Sequence, residues 1–222
     1  MQEPWWKRWT SYLFEWHIES TSSEYNPHLY VSLNRGRYQL CTANAIYSFG
    51  DLYDNFSRAF SKMDLDHLPG DQVLILGFGL GSIPLMLEKN FDRQYHYTAI
   101  EIDEAILELT AKYTLPDITS PVETICTDAS AYVVQSTERF AMICMDVFLD
   151  DKVPSSFESE DFLHHLSDLL LPDGMLLFNR LAATPDDIQL TKSYFENTFR
   201  KVFPDASYLD VRGNWMLFNR KI

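Results

Sequence analysis

The sequence predicts an α/β protein with a mainly parallel, seven-stranded sheet and helices on both of its faces. The apolar run Val73–Leu76 is typical of a strand buried on both sides of a parallel sheet. A glycine-rich turn at 77–81 follows, and from Ser82 the apolar residues take helical spacing. Strand and helix then alternate until two strands, Ser207–Val211 and Trp215–Asn219, flank a turn. Five strand–helix repeats closed by an antiparallel hairpin produce such a sheet.

The elements after the glycine turn follow from the same patterns. Short apolar runs predict strands, and helical apolar spacing predicts helices, with Asp103 and Asp128 as N-caps of two of them. The predicted strands are Tyr95–Ile102, Pro121–Thr127, Phe140–Met145 and Met175–Asn179, and the later helices lie around Phe157–Leu171 and over Ile188–Val202.

An N-terminal region, residues 1–66, is expected to precede the Rossmann-like domain of strand–helix repeats, residues 67–222. Alternating residues predict a β-hairpin of His28–Asn34 and Arg37–Thr42 around a turn, and apolar spacing predicts a helix over Asn44–Met63. Large aromatic residues are concentrated before the hairpin, and we expect them to be buried against the body or against a second subunit. They are Trp5, Trp6, Trp9, Tyr12, Phe14 and Trp16.

The charge and hydropathy of the sequence argue against nucleic acid and membrane as binding partners. The 222 residues carry a net charge of −14, from 18 Lys and Arg against 32 Asp and Glu, without a basic cluster. Because phosphate backbones are bound through such clusters, nucleic acid is disfavoured as a substrate. No apolar run approaches the length of a membrane span, and no signal-peptide pattern begins the chain, so we expect a cytoplasmic protein that does not enter a membrane.

The three cysteines and the histidines do not form a metal site in the sequence. Cys41, Cys126 and Cys144 are widely spaced and are expected to be small buried residues in a reducing compartment. His96 and the pair His164–His165 lack metal-ligand spacing with any acidic cluster. No metal is therefore expected.

The glycine turn and the next strand together suggest a nucleoside site. Gly77, Gly79 and Gly81 permit a close backbone approach, and Glu101 follows Gly81 by 20 residues, at the end of a strand. At that spacing an acid accepts hydrogen bonds from ribose hydroxyls. Ser82 stands where a dinucleotide fingerprint has its third glycine, which favours an adenosyl-sulfonium ligand over NAD. The alternative is a tight structural turn without a ligand.

Two further acids lie at predicted strand ends, where ligands of open α/β sheets bind. Asp128 follows the third strand and is either a ligand-binding acid or only a helix N-cap. Asp146 follows the fourth strand and is either a solvated loop acid or a group that orients or deprotonates a nucleophile. It acts as a general base only if burial raises its pKa.

These features resemble the Rossmann-like class I S-adenosylmethionine-dependent methyltransferase fold, and within it the spermidine and spermine synthases, which are aminopropyltransferases. The resemblance runs from about Leu29 to about Leu177 and includes G-x-G-x-G, the segment YTAIEIDEAILEL and the N-terminal hairpin. It implies that Glu101 binds ribose, that Asp128 with Ala129 contacts the adenine, and that Asp146 binds and deprotonates the attacking amine.

The N-terminal part of the family contributes a tyrosine and a glutamine, which Tyr47 and Gln39 match. Ser48 and Phe49 replace the polar and acidic pair that follows this tyrosine in the family. The resemblance also implies a homodimer, because these synthases are commonly dimers.

Other departures affect the polyamine half of the site. Leu80 stands where the family has an aspartate. The family's D-S-S-D is here DVFL at 146–149, so the second aspartate is missing unless Asp150 or Asp151 takes its role. Two ammonium groups of a diamine need carboxylates once they leave water. The adenosine half is therefore retained, whereas Leu80, Phe148 and Leu149 suit an acceptor with less charge.

Three functions remain open at this point. The first is methyl transfer from S-adenosylmethionine to a small molecule, by direct displacement at the sulfonium carbon. The second is aminopropyl transfer from decarboxylated S-adenosylmethionine, with Asp146, Asp150 and Asp151 holding the amine. The third is a non-catalytic homologue that uses the aromatic N-terminus as an interface.

Overall fold

An antiparallel sheet forms the N-terminal region in the computed structural model, which describes residues 3–42, 46–148 and 153–222. Its described strands pair in the order β1-β2-β3-β4, and β2 with β3 is the predicted hairpin. The elements are α1 (Trp5–Thr10), β1 (Trp16–Thr21), β2 (Leu29–Asn34), β3 (Arg37–Cys41), β4 (Ile46–Ser48) and α2 (Asp54–Phe60).

The helix predicted over Asn44–Met63 is wrong from Ile46 to Tyr53, while Asn44 and Ala45 lie outside the described residues. Ile46–Ser48 is a strand because it pairs with β3, where Leu40 faces Ser48. A short 3₁₀ turn, Gly50–Leu52, follows, and Tyr53 has an extended backbone (φ −71°, ψ 95°) that delays α2 until Asp54. Tertiary pairing therefore overrides the helical spacing of the apolar residues here.

The second sheet has seven strands among the described residues, in the order β10-β11-β9-β8-β5-β6-β7. The pairs from β9 to β7 are parallel, and β11 pairs antiparallel with both β9 and β10, as predicted. The strands are β5 (Gln72–Leu76), β6 (His96–Glu101), β7 (Val122–Cys126), β8 (Phe140–Met145), β9 (Leu170–Leu181), β10 (Ser207–Asp210) and β11 (Asn214–Phe218). The helices are α3 (Ser82–Phe91), α4 (Glu104–Tyr113), α5 (Ala129–Gln135), α6 (Glu160–Leu169), α7 (Pro185–Tyr194) and, after a π-helical segment Phe195–Phe199, α8 (Arg200–Val202).

Alternate residues of the central strand β5 pack into two cores, one on each face of this sheet. Leu74 and Leu76 of β5 pack in the core that includes Leu163 of α6. Val73 and Ile75 pack in the core that includes Phe56 of α2 and Met86 of α3. Successive side chains of a strand point to opposite faces, so a continuous apolar run requires helices on both.

A third core joins the N-terminal sheet to the glycine turn and to α4 of the seven-stranded region. Leu80, in the glycine turn, is 1% exposed and packs with residues of β2 and β3 and with Ile106 and Leu109 of α4. The expectation that Leu80 belongs to an acceptor pocket is therefore wrong. Its side chain is buried in the third core, with residues of the N-terminal sheet and of α4.

The aromatic N-terminus is only partly buried in the single chain. Trp5, Trp9 and Tyr12 are 81%, 68% and 65% exposed, so their predicted packing against the body is wrong. Trp16 is half-buried and packs against the third core, with the ring of Trp6 edge-on at 5.9 Å. The prediction that a second subunit buries the exposed rings stays a prediction.

The cysteines differ in burial, and all three are free thiols. Cys41 and Cys144 are buried, as expected, but Cys126 is exposed because β7 is an edge strand of the large sheet. Within the described ranges, the helices all lack the length and apolar character that crossing a membrane requires.

The burial of Leu80 leads to a stability prediction. We expect Leu80→Asp to lower the free energy of unfolding by at least about 1.5–3 kcal/mol, the burial contribution of a leucine, because a carboxylate is also desolvated there. Urea denaturation measures this loss. The control Leu190→Asp, at a side chain that is 67% exposed, should change stability by less than about 0.5 kcal/mol. Equal losses in both variants would contradict the assigned position of Leu80.

Candidate functional site

A cavity of about 560 Å³ lies at the carboxyl ends of the parallel strands. Strand β5 pairs with both β6 and β8, so the cavity is at the point where the order of the strands reverses, which is where open α/β sheets bind ligands. Seven of the nine predicted site residues line it. They are Tyr47, Gly77, Gly79, Glu101, Asp128, Ala129 and Asp146.

Positive φ angles and close contacts explain why two positions of the glycine turn are glycine. Gly77 has φ +84°, and a Cβ there would collide with the carbonyl oxygen of Asp146. Gly81 has φ +73°, is the N-cap residue of α3 and would place a Cβ 3.1 Å from the Phe78 ring. Gly81 is outside the cavity lining. A tight structural turn therefore accounts for Gly77 and Gly81. The N–H of Gly79 donates to the Glu101 side chain, which lines the cavity.

Glu101 is a buried carboxylate that lines the cavity and holds the glycine turn. Its Oε2 accepts from the N–H of Gly79 at 3.1 Å, and its Oε1 accepts from the N–H groups of Ile102 and Asp103 at 3.0 and 3.2 Å. Burial raises the pKa of Glu101, and these three donors oppose that effect. A hydroxyl that donates to this carboxylate would further favour its charged form.

Asp128 is both a helix cap and a cavity residue. Its Oδ1 accepts from the N–H of Ala131 at 2.8 Å and from the hydroxyl of Ser130 at 2.6 Å, which caps α5. Both bonds end on Oδ1, so within the described residues Oδ2 is left for a ligand. The two interpretations of Asp128 are therefore compatible.

Asp146 is half-buried at the end of β8 and is oriented by two asparagines. Asn179 donates to Asp146 Oδ1 at 2.8 Å, and Asn214 donates to Asn179 Oδ1 at 3.0 Å. The hydroxyl of Tyr53 lies 3.5 Å from the same Oδ1. Burial raises the pKa of Asp146 and the hydrogen bonds from Asn179 and Tyr53 oppose that rise, which together give a pKa of about 6. At neutral pH the group is thus a carboxylate that is able to take a proton.

Sequence reasoning missed Asn179, Asn214 and Tyr53. Asn179 is the last residue of a predicted strand, as Asp146 directly follows another. Because β8 and β9 pair with Met145 beside Phe178, the strand ends place Asn179 next to Asp146. Asn214 was assigned to a turn, and its contact with Asn179 depends on the pairing of β11 with β9.

The N-terminal region forms one wall of the cavity. Tyr47 donates to Asn26 Oδ1 at 3.3 Å, and Asn26 donates to Asp103 Oδ2 at 2.8 Å. Asp103 also accepts from the N–H of Ala105 at 3.1 Å, so it is the helix cap that the sequence predicted. Asn26, which sequence reasoning missed, joins the two regions beside the cavity.

Gln39 lies away from the cavity, contrary to the role that the resemblance implied. It is buried in β3, where its amide donates to Cys41 Sγ at 3.2 Å and accepts from Asn34 at 3.1 Å. Its partners are thus within the N-terminal sheet. Leu149, Asp150 and Asp151 lie outside the described residues, and the role suggested for the two acids stays a prediction.

The environment of Asp146 leads to a titration prediction. We expect Asp146 to titrate near pH 6 and the variant Asn179→Leu to have a higher Asp146 pKa, because it loses a hydrogen bond that favours the carboxylate. Carbon-13 NMR of the aspartate carboxyls measures both values. The exposed Asn197→Leu is the control, and an unchanged or lower Asp146 pKa in Asn179→Leu would contradict this geometry.

The raised pKa of Asp146 also makes the stability of the folded protein depend on pH. The folded pKa of about 6 exceeds the usual value of about 3.9 for an unfolded aspartate. The folded state therefore binds more protons than the unfolded state between about pH 4 and pH 6. Across that window, rising pH should lower the stability of the wild type relative to Asp146→Asn.

Comparisons of sequence give partial matches to known proteins. No family model matches the chain. It is 28% identical over 109 residues to a probable polyamine aminopropyl transferase of Bifidobacterium longum, covering 49% of this chain and 24% of that one. It is 23% identical over 117 residues to a polyamine aminopropyltransferase of Vibrio vulnificus, covering 51% and 39%. The matches therefore span well under half of each relative.

Comparisons of structure cover most of the chain. A spermidine synthase in complex with the transition state analogue AdoDATO has a TM-score of 0.70 at 18% identity, over 91% of this chain and 72% of that one. Human methyltransferase-like protein 13 in complex with SAH has a TM-score of 0.60 at 20% identity, over 76% and 80%. The chain has the class I S-adenosylmethionine-dependent methyltransferase fold, in an architecture similar to that of the spermidine synthases.

Proposed function

We propose that the cavity binds an adenosyl-sulfonium compound of the S-adenosylmethionine type and that the chain transfers a group from it to a small molecule. The observation that carries this proposal is the Glu101 carboxylate, which faces the cavity while the N–H of Gly79 holds it against the glycine turn. Two of the structural neighbours are complexes with SAH and with AdoDATO, which supports the same class of ligand.

The residues present fit such a compound. Glu101 accepts hydrogen bonds from ribose hydroxyls, and Asp128 Oδ2 accepts from the adenine amino group beside Ala129. When bound, the compound supplies an electrophilic carbon attached to a positively charged sulfur. Asp146 holds the nucleophile and takes its proton.

The transferred group has two candidates. Methyl transfer is supported by Val147 and Phe148, apolar lining residues that follow Asp146 where a diamine site has polar and acidic ones. Aminopropyl transfer is supported by the names of the two sequence relatives. Both reactions use the same adenosyl half of the cavity.

The N-terminal region also supports a proposal of self-association. Trp5, Trp9 and Tyr12 form part of an exposed aromatic segment, and clusters of this kind mark protein interfaces. A homodimer that buries this segment is the proposed assembly.

Glu101 provides the direct test of nucleoside binding. We expect Glu101→Ala to weaken binding of S-adenosylhomocysteine by about 1.5–3 kcal/mol, the contribution of a hydrogen bond to a charged group, measured by calorimetric titration. Glu108→Ala, at an exposed position on α4, is the matched control and should bind as the wild type does. Equal affinity in Glu101→Ala and the wild type would overturn the ribose assignment.

A second titration separates the two reactions. S-adenosylmethionine, its decarboxylated form and methylthioadenosine are compared on the wild-type protein. Tighter binding of the carboxylated form supports methyl transfer, whereas tighter binding of the decarboxylated form, with turnover of putrescine, supports aminopropyl transfer. Binding of none of them at millimolar concentration would eliminate both reactions and leave a non-catalytic homologue.

A further inference from the structure

The cavity has an uneven distribution of charge. Its described lining residues include the carboxylates of Glu101, Asp128 and Asp146 and no Lys, Arg or His. Glu101 and Asp128 lie at the ends of β6 and β7, where the proposed adenosine binds. Among the described residues, Asp146 is thus the one acid that remains for the acceptor. Such a site favours a cationic ligand over an anionic one.

Asp146 is held in a fixed orientation. Asn179, which is 1% exposed, donates to Asp146 Oδ1, and Asn214 donates in turn to Asn179. Asn179 and Tyr53 both donate to Asp146 Oδ1. Within the described part of the chain, Oδ2 is therefore open to the acceptor substrate. Asn214 itself lines the cavity, so its amide is a second polar group beside the carboxylate.

Apolar side chains form the remaining wall. Phe157 is 4% exposed and packs edge-on against Phe162 at 5.1 Å, which fixes its position. Phe148 follows Asp146 by two residues, and Leu181 faces Asn214 across the β9–β11 pair. These surfaces bury an apolar body, and the lining that the structure describes offers no carboxylate to a second ammonium group. Desolvating that second charge without a partner is costly.

We propose that the acceptor is a compound with a single amine and an apolar or aromatic body, bound with its nitrogen between Asp146 and Asn214. This inference rests on the proposed adenosyl donor, for either transferred group. Asp146 Oδ2 takes one proton from the ammonium, and the N–H electron pair remains on nitrogen. The nitrogen then forms a bond to the sulfonium carbon while the carbon–sulfur bond breaks and its electron pair stays on sulfur. Asp146 releases its proton to solvent.

Three probes of related size test the acceptor class by calorimetry. They are 2-phenylethylamine, with one amine on an aromatic body, putrescine, with two amines, and 3-phenylpropionate, with a negative charge. We expect 2-phenylethylamine to bind at least about tenfold more tightly than either of the others. Tighter binding of putrescine or of 3-phenylpropionate, or equal binding of all three, would overturn the proposal.

A charge added to the acceptor half provides a sharper test. Asn214→Asp introduces a second carboxylate, and we expect it to raise the affinity for putrescine about tenfold relative to 2-phenylethylamine. Asn197→Asp adds the same charge at an exposed position on the π-helical segment and is expected to leave the order of the probes unchanged. Asp146→Asn is expected to remove the preference for the amine over 3-phenylpropionate. An unchanged order of probes in both Asn214→Asp and Asp146→Asn would overturn the assigned acceptor position.

The proposed binding of an adenosyl donor and the inferred acceptor class can be tested separately. The probes are titrated into the protein alone and into protein saturated with S-adenosylhomocysteine. If S-adenosylhomocysteine produces no binding heat, the proposed function fails, while the order of the probes on the protein alone still decides the acceptor class. If S-adenosylhomocysteine binds and the amine preference is absent, only the acceptor inference fails.

Discussion

The Glu101 carboxylate links the glycine turn to the end of β6, and the arrangement of the site depends on this link. Its two oxygens accept three backbone N–H groups, including that of Gly79. Burial of the charge is unfavourable, which raises the Glu101 pKa, and the three donors offset part of that cost. The result is a carboxylate held at the edge of the cavity and a glycine turn held against the next strand.

The same turn also supports the N-terminal sheet. Gly79 faces the carboxylate while the adjacent Leu80 enters the third core with residues of β2, β3 and α4. Asp103, two residues after Glu101, accepts from Ser23 and Asn26 of the N-terminal region. Movement of the N-terminal sheet would therefore disturb both the turn and the wall that Tyr47 forms, so the two regions build the cavity together.

The two halves of the cavity are held by different kinds of contact. Backbone N–H groups donate to the carboxylates of Glu101 and of Asp128, which caps α5, so the half of the cavity proposed to bind the nucleoside follows from the course of the chain. Side-chain amides fix Asp146, through Asn179 and then Asn214. Side chains change more readily than the backbone path, so the half of the cavity around Asp146 can change while the fold is kept.

The sequence by itself determined the parts that depend on local pattern: the apolar strand β5, the glycine turn, the alternation of strands and helices, the terminal hairpin, and acids at successive strand ends. It did not determine which way Leu80 and Gln39 point, that Ile46–Ser48 is a strand, or that Asn214 supports Asp146 through Asn179. Those outcomes depend on pairing between segments far apart in the chain. Local spacing predicts an element and its faces, but only tertiary packing decides what each face meets.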